Sequence, residues 1–258
     1  MKYCLFTKNG LENSPIVLEI RKTLQSDGRF VVFEECPDLV IVVGGDGTFL
    51  KAAHVIFPKN PAAQFLCFNA GTIGYYNDFG EKDVKDIPHI VFDETNLLGE
   101  LDTLEAESNG RTWYAWNEFS ITGLSQNIDY DVSLDKRYLE HFFGAGMIIT
   151  TSTGSMAYNR SLNGAIIDPS LHLMELTEVA GIHSKAHKTI GNPMIIAKER
   201  TISFESESLR GGYLFADGFQ LSEEKLHRFD IRLSSKKLHC YLKEKDYFVE
   251  RIHKTIDL

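Results

Sequence analysis

Residues 39–48 read LVIVVGGDGT, five consecutive apolar residues followed by a glycine-rich turn. A short apolar run of this kind is typical of a strand buried on both faces, as in a parallel sheet covered by helices. Similar runs, with helical repeats between them, occur on both sides: strands at residues 3–6, 30–33 and 65–68, and helices at 15–27 and 49–57. We therefore predict an α/β domain with a parallel sheet over residues 1–95.

The pattern changes to period-two alternation after about residue 95. Antiparallel strands are predicted at residues 101–106, 112–121, 130–134, 146–150, 201–205, 213–216, 219–221 and 229–234, with one helix at 155–163. We predict an all-β sandwich domain over residues 96–244, so that a Rossmann-like α/β domain and a β domain make the chain α+β overall. Ligands prefer clefts between packed domains, so the site is expected to draw on both.

Charge and composition exclude several classes of partner. The 258 residues include 27 basic and 36 acidic side chains, a net charge of −9, which offers no general attraction to a nucleic acid backbone. No apolar run approaches the ~18 residues of a membrane span. The four cysteines are far apart and form no C-x-x-C pair, which indicates reduced thiols. We therefore expect a cytoplasmic protein without nucleic acid or membrane partners.

The glycine-rich turn is the sharpest candidate for a site. Three glycines among residues 44–47 let backbone N–H groups approach an anion, and the helix that follows adds its dipole. We expect Gly45, Gly47 and Thr48 to bind phosphate groups, although no lysine follows as in a P-loop. A carboxylate beside phosphates suits a phosphoryl-transfer enzyme, in which it accepts a proton from a hydroxyl. Asp46 is the candidate general base, and the alternative is a turn residue that caps the helix.

Two further segments place polar residues where they need partners. Asn117 shares a strand face with apolar residues under period-two alternation, and a buried amide suits a purine edge or a ribose. Glu118 joins the same site only if the strand bends there. Residues 150–158, TTSTGSMAY, place hydroxyl groups at the start of a helix, which suits an anion or a sugar. The alternatives are an asparagine satisfied by backbone and an ordinary N-cap at Ser155.

Four ordered motifs together resemble the signature of bacterial NAD kinases, the ATP/polyphosphate-NAD kinase family: GGDGT at 44–48, NAGTIGYY at 69–76, NE at 117–118 and TSTGSMAY at 151–158. The resemblance implies an N-terminal α/β domain, a C-terminal β-sandwich domain and a tail, about residues 245–258, that returns to the first domain. It also implies a homodimer or homotetramer. The implied reaction transfers the γ-phosphoryl group of ATP or polyphosphate to the 2′-hydroxyl of the adenosine ribose of NAD, with a divalent cation, Mg²⁺, carried by ATP.

The resemblance also implies roles for individual residues. Asp46 would be the base, and Asn117 and Glu118 would hold ribose and adenine groups. Further residues would line the dinucleotide site: Tyr75, Ala145, Thr153, Met156, Ala157, Tyr158, Ser161, Ala180 and Ile182. Ala145 stands where the family commonly has Asp between two glycines, and Met156 stands where it has Thr.

Two other functions stay open at this stage. A lipid kinase shares the glycine-Asp-glycine turn but lacks the motifs at 117–118 and 151–158, and the sequence shows no basic amphipathic surface. A non-catalytic or weakly active nucleotide-binding paralogue fits the changes at Ala145 and Met156, whereas the retention of Asp46 argues against it. The sequence also leaves open whether the donor is ATP or polyphosphate and whether the acceptor is NAD or NADH.

Two other polar clusters are interpreted as structural. His183 and His187 are four residues apart, but no third ligand lies near them in the sequence, so we predict no protein-bound metal. Asp217-Gly218 lies between two predicted strands and is typical of a two-residue hairpin turn.

Overall fold

The computed structural model describes residues 1–70, 74–93, 95–183, 188–208, 210–244 and 248–256. The chain divides into two compact units. The N-terminal unit comprises Met1–Leu101 together with Lys237–Leu258, and the C-terminal unit comprises Asp102–Lys236. The predicted fold class, an α/β domain with an all-β domain, is confirmed.

The N-terminal unit alternates strands and helices. Its elements up to Leu101 are β1 Lys2–Thr7, α1 Pro15–Asp27, β2 Val31–Val32, β3 Leu39–Gly44, α2 Asp46–Ile56, β4 Gln64–Asn69, a 3-10 helix Glu81–Asp86, α3 Ile87–Phe92 and β5 Leu97–Leu101. All six residues of β3 are buried, which confirms the strand predicted from the apolar run. Helix α1 has proline at its first position, where the missing N–H costs nothing, and ends at Gly28 with φ 72°.

The C-terminal unit consists mainly of antiparallel strands. Its elements are β6 Leu104–Ser108, β7 Arg111–Ala115, β8 Glu118–Thr122, β9 Ile128–Leu134, β10 Arg137–Thr151, a 3-10 helix Thr153–Met156, α4 Tyr158–Ser161, a 3-10 helix Pro169–Leu171, β11 Met174–Gly181, β12 Met194–Ile196, β13 Thr201–Glu205, β14 Tyr213–Ala216, β15 Phe219–Gln220 and β16 Arg228–Leu233. In the described part of the chain they form one network, ordered β15-β14-β8-β10-β9-β13-β16-β6-β7, with β11 and β12 attached to β10. Strand β10 pairs with β9 along its first half and with β8 and β11 along its second, around one apolar core.

The chain then returns to the first sheet. The returning elements are β17 Leu238–Leu242 and α5 Phe248–Ile256. Strand β17 is parallel to β4 and antiparallel to β5, which gives the sheet order β2-β1-β3-β4-β17-β5. In the sequence, the C-terminal unit is therefore inserted between β5 and β17 of the first sheet. The unit boundaries fall after Leu101 and Lys236 rather than after the predicted residues 95 and 244, because β5 and β17 pair with each other.

Two elements of the N-terminal unit differ from the prediction. The strand predicted at residues 30–33 as buried is reduced to β2, whose two residues are 61% and 62% exposed because β2 pairs only with β1 at the sheet edge. Helix α2 begins at Asp46 rather than Phe49. The carbonyl of Gly45 accepts the N–H groups of Thr48 and Phe49, which makes the glycine-rich turn part of the helix start.

Three elements of the C-terminal unit also differ. The strand predicted at 101–106 is divided between β5 and β6, and the strand predicted at 112–121 is divided into β7 and β8. The helix predicted at 155–163 is a 3-10 helix followed by the single turn α4. Ser155 lies inside the 3-10 helix and is not its N-cap, because its hydroxyl donates to the carbonyl of Ser152 at 2.7 Å.

Candidate active site

The glycine-rich turn lies between β3 and α2. Gly45 is extended, with φ −107° and ψ −171°, and Asp46 is the first helical residue. A Cβ on Gly44 would lie 2.8 Å from the Cβ of Thr48, so this position requires glycine. Within the described residues, a Cβ on Gly45 or Gly47 would meet nothing within 4 Å. The turn therefore leaves open space at the N-terminus of α2, the arrangement that an anion site needs.

The carboxylate of Asp46 is held by a second loop of the same unit. Its Oδ2 accepts the backbone N–H of Tyr75 at 2.9 Å, and its Oδ1 accepts that of Tyr76 at 3.0 Å. A Cβ on Gly74 would lie 2.5 Å from Oδ1, so a larger residue at this position would displace the carboxylate. The side chain is half-buried. The carboxylate is thus oriented by a neighbouring loop and remains accessible, whereas a helix cap would bond to its own helix.

The second motif supplies this loop. Residues 71–73 of the motif lie outside the described residues. Tyr75 is half-buried, and Tyr76 is buried with its ring stacked on Phe49 at 4.4 Å between centroids. Asn77 is 5% exposed, and neither polar atom of its amide has a hydrogen-bond partner among the described residues. A buried amide without a partner is costly, so Asn77 is a candidate for ligand or water contact that the sequence analysis did not include.

Asn117 and Glu118 lie at the break between β7 and β8. The carboxylate of Asp217 accepts the backbone N–H groups of Trp116, Asn117 and Glu118 at 3.1, 2.7 and 3.2 Å. The hydroxyl of Thr150 donates to the carbonyl of Asn117 at 2.8 Å. In a regular strand successive N–H groups point in opposite directions, so three that converge on one carboxylate require a bend. This bend is the condition under which both residues can belong to one site.

Asp217 was interpreted from the sequence as a turn residue only. The hairpin is confirmed, since Asp217 and Gly218 have φ 49° and 84° and join β14 to β15 through the pair Ala216–Phe219. The side chain of Asp217 has a further role, because it fixes the backbone of residues 116–118. An Asp-Gly turn signal gives no indication of partners so distant in the sequence.

The carboxyl group of Glu118 is buried, with the residue 7% exposed. Burial, and then the negative charge of Asp217, raises the pKa of Glu118 to about 8, against the opposing effect of a hydrogen bond from the N–H of Tyr158. The group is therefore mostly protonated at neutral pH and has an O–H to donate. Its Oε2 has no hydrogen-bond partner among the described residues. This side chain can recognise an acceptor on a ligand.

Residues 150–158 pack directly against this bend. A Cβ on Gly154 would overlap the carbonyl of Asn117, so the close approach requires glycine. The hydroxyl of Thr151 donates to the carbonyl of Trp116 at 2.6 Å and accepts the N–H of Gly154 at 2.8 Å. The third and fourth motifs, at residues 117–118 and 151–158 of the C-terminal unit, therefore form one structure.

Several hydroxyl groups of this segment are engaged within the protein. Ser152 donates to the carbonyl of Leu173 and accepts its N–H, and Ser155 accepts the N–H of Ile167 at 3.0 Å. These serines stabilise the loop and are not available to an anion or a sugar. The residues predicted to line the site vary in exposure: Thr153 and Met156 are buried, Ala157 is half-buried, and Tyr158 and Ser161 are exposed.

Ala145, Ala180 and Ile182 lie further along the same network. Ala145 of β10 and Ala180 of β11 are at the same level of that strand pair, and Ile182 follows the end of β11. Thr150, which pairs with Glu118, lies five positions after Ala145 along β10. At roughly 3.4 Å per residue this is about 17 Å. A ligand that contacts both ends must therefore be extended.

Two other types of site are absent from the described residues. No helix in the described ranges is long and apolar enough to cross a membrane. The described residues contain no group of three or more His, Cys, Asp or Glu side chains that could hold a metal ion. His187, half of the discounted histidine pair, lies outside the described residues, and His183 is exposed.

Family models match both units of the chain. Residues 13–94 match the ATP-NAD kinase N-terminal domain, and residues 119–241 match the ATP-NAD kinase C-terminal domain. The chain belongs to the NAD kinase family. It is therefore an enzyme and a phosphotransferase, and the lipid-kinase and non-catalytic alternatives are not favoured.

Individual members of the NAD kinase family agree with this assignment. The NAD kinase of Lactobacillus delbrueckii subsp. bulgaricus is 31% identical over 226 residues, 85% of each chain, and that of Lactobacillus gasseri is 28% identical over 239 residues, 91% of this chain and 89% of the relative. The crystal structure of an Archaeoglobus fulgidus NAD kinase in complex with ATP is similar over both full chains, with a TM-score of 0.79 at 17% identity. Yeast NADH kinase complexed with NADH gives 0.84 at 18% identity, over 100% of this chain and 88% of that one. At these identities the solved structures support the fold alone.

Proposed function

We propose that this chain makes NADP by transferring the γ-phosphoryl group of ATP or polyphosphate to the 2′-hydroxyl of the adenosine ribose of NAD. The observation that carries the proposal is the Asp46 carboxylate, oriented by two backbone N–H groups and placed at the start of α2 beside open glycines. This puts a proton acceptor next to a helix N-terminus that suits phosphate. Family membership supports the choice of substrates, and two structures with the same fold were solved with ATP and with NADH.

In the proposed reaction Asp46 accepts the proton of the 2′-hydroxyl while the hydroxyl oxygen forms a bond to the γ-phosphorus. The bond between the γ-phosphorus and the β-γ bridging oxygen breaks, and ADP leaves with that oxygen. The N–H of Thr48 is engaged by Gly45, so its predicted phosphate contact falls to its hydroxyl. The first N–H groups of α2, those of Asp46 and Gly47, have no acceptor within the helix and are the donors proposed for phosphate oxygens.

The C-terminal unit is proposed to recognise the dinucleotide. Asn117 and the protonated Glu118 hold ribose and adenine groups, since together they offer amide donors, an amide acceptor and a carboxyl O–H. The other residues proposed to line the site are Tyr75, Ala145, Thr153, Met156, Ala157, Tyr158, Ser161, Ala180 and Ile182.

A divalent cation, Mg²⁺, is proposed to arrive with ATP. Mg²⁺ keeps several waters and is held largely by substrate phosphates with one or two carboxylates, so it needs no protein cage. The open turn at Gly45 and Gly47 and the oriented Asp46 carboxylate fit a cation of this kind. When bound, it neutralises charge on the phosphate oxygens.

We further propose a homodimer or homotetramer in the cytoplasm, without nucleic acid or membrane partners. Exposed large apolar side chains on the C-terminal unit support self-association: Tyr158, Leu171, Ile182, Ile195 and Phe219. The free thiols Cys4, Cys36, Cys67 and Cys240 fit a reducing compartment. Light scattering on the purified chain tests the assembly, and a mass near the 29.2 kDa of one chain contradicts it.

The decisive experiment measures NADP formed from NAD with an NADP-specific dehydrogenase, and NADPH formed from NADH with an NADPH-specific reductase. Purified protein is incubated with NAD or NADH, Mg²⁺, and either ATP or polyphosphate. Product that depends on the donor and on Mg²⁺ supports the proposal and identifies the preferred pair. No product above background with any pair contradicts it.

A further inference from the structure

Helix α5 places an arginine against the loop that holds Asp46. The side chain of Arg251 is 8% exposed, and that of Asp78 is 3% exposed. The guanidinium lies 4.6 Å from the centroid of the Tyr75 ring, and one of its nitrogens lies 3.6 Å from Oδ2 of Asp78. A side chain from the last helix therefore contacts two residues of the loop.

The same loop supplies both donors to Asp46. The backbone N–H groups of Tyr75 and Tyr76 bind the two carboxylate oxygens, and the ring of Tyr76 stacks on Phe49 of α2. The loop is thus fixed by α2 through Tyr76 and by α5 through Tyr75 and Asp78. A shift of Tyr75 changes the position of one of the two donors.

The chemistry of arginine suits this position. A planar guanidinium stacks on an aromatic ring and still directs N–H groups at a carboxylate, whereas the compact ammonium of lysine does not combine the two geometries. A buried ion pair contributes little net stability compared with well-packed apolar residues of similar volume. Net stability is therefore a weak explanation for a buried Arg251, whereas its contacts with Tyr75 and Asp78 place it directly on the loop.

We propose that Arg251 is a positioning residue that holds Tyr75 and Asp78 so that the loop N–H groups orient the Asp46 carboxylate for proton transfer. The kinetic part of this proposal rests on the NAD kinase activity proposed above. The structural part does not, because the position of the loop can be measured without substrate.

The structural test is hydrogen exchange of the Tyr75 and Tyr76 amides, resolved by NMR in the full chain. In Arg251→Gln both amides are expected to exchange about tenfold faster or more, because the loop opens more often. His253→Gln is the matched control, since His253 is exposed on the same helix, and it leaves both rates unchanged. Exchange in Arg251→Gln within about twofold of the wild-type rate overturns the proposal.

A second variant separates positioning from folding. Arg251→Gln removes a cation from beside the buried Asp78 carboxylate, which is destabilising in itself. The double variant Arg251→Gln/Asp78→Asn removes both charges and is expected to recover the melting temperature while the Tyr75 amide still exchanges fast. If the Tyr75 amide exchanges slowly again in the double variant, the charge on Asp78 disturbed the loop in Arg251→Gln. This outcome also overturns the proposal.

The kinetic readout uses the same proteins. Both variants are expected to lower kcat by about tenfold or more with KM for NAD and ATP within about threefold, because orientation of the base acts on the transition state. Arg251→Lys, which keeps a cation near the ring, recovers part of kcat. A rise in KM of about tenfold with an unchanged kcat contradicts the proposal that Arg251 positions the base. If the wild-type chain makes no NADP, the proposed activity fails, whereas the exchange rates still decide the role of Arg251.

Discussion

Asp46 of the N-terminal unit lies at the turn from β3 into α2, and Glu118 of the C-terminal unit lies at the break between β7 and β8, but their carboxyl groups have different surroundings. Asp46 is half-buried, and each of its oxygens accepts a backbone N–H. Glu118 is buried, and its Oε2 has no hydrogen-bond partner in the described residues. The difference separates a carboxylate suited to accept a proton from a carboxyl group that retains its own.

The difference extends to how each backbone is held. At Asp46 the backbone N–H groups of Tyr75 and Tyr76 donate directly to the side-chain carboxylate. At Glu118 the roles are reversed, because the Asp217 carboxylate binds the backbone and its charge also contributes to raising the pKa of Glu118. Substitutions at the two positions should therefore affect different quantities: the rate of chemistry at Asp46, and ligand binding and pH dependence around Glu118.

The largest expected effect follows from replacing the base. Asp46→Asn is expected to lower kcat by about 10²- to 10⁴-fold, because the amide cannot accept the hydroxyl proton, with a much smaller change in the Kd for NAD. The coupled assay and isothermal titration measure the two quantities. Asp83→Asn is the matched control, since Asp83 also accepts a backbone N–H in the same unit, from Gly80. A kcat near that of the wild type would reduce Asp46 to a structural residue.

Next in size is the loss of the amide beside Glu118. Asn117→Ala is expected to weaken NAD binding by about 1 to 3 kcal/mol if a ligand group is left unpaired, with kcat within a few-fold. Isothermal titration checks this against Asn192→Ala, which removes an exposed amide of the same unit. Unchanged affinity together with a lowered melting temperature indicates that Asn117 serves the bend rather than the ligand.

These two positions also show how far the sequence can be interpreted. The turn at Asp46 was predictable because its information is local: an apolar strand, three glycines and a helix. The bend at Asn117 was not, since the carboxylate that causes it belongs to Asp217, 100 residues away. The hydroxyls of Ser152 and Ser155 suggested a ligand site from their type alone, whereas their partners are backbone groups of other segments.

The same limit applies to the return of the chain. Strand β17 alternates like the strands of the C-terminal unit, so its sequence does not indicate that it pairs with β4 in the other sheet. The position of Arg251 depends on that return. Local patterns therefore predicted β1, β3, β4 and α1, and also most strands of the C-terminal unit, whereas the pairing of β5 and β17 in the first sheet depends on contacts distant in the sequence.

A change in the Kd for NAD is also expected at Ala145, where this chain has alanine in place of the aspartate common in the family. Ala145→Asp is expected to lower the Kd for NAD by up to about 100-fold, because a carboxylate can accept charge-assisted hydrogen bonds worth roughly 1.5 to 3 kcal/mol. The kcat should stay within a few-fold, since Ala145 is about 17 Å along β10 from the level of Glu118. Ala62→Asp, an exposed substitution, controls for the added charge. Equal or weaker binding by Ala145→Asp shows that this part of the site is organised differently.

The last prediction concerns stability rather than ligand binding or rate. The pKa of Glu118 rises on folding from about 4.5 to about 8, mainly through burial, so the folded chain binds this proton more tightly than the unfolded chain. Stability from this group is therefore present below pH 4.5 and falls as pH rises toward 8.

Glu118→Gln, which resembles the protonated form, should gain about 5 to 10 °C in melting temperature relative to the wild type between pH 5 and pH 8. Glu140, whose pKa burial raises to about 7, contributes to the slope that remains in the variant. Glu205→Gln, an exposed change, should follow the wild type at both pH values. If Glu118→Gln also runs parallel to the wild type, the carboxyl is ionised at neutral pH, and the contrast with Asp46 no longer holds.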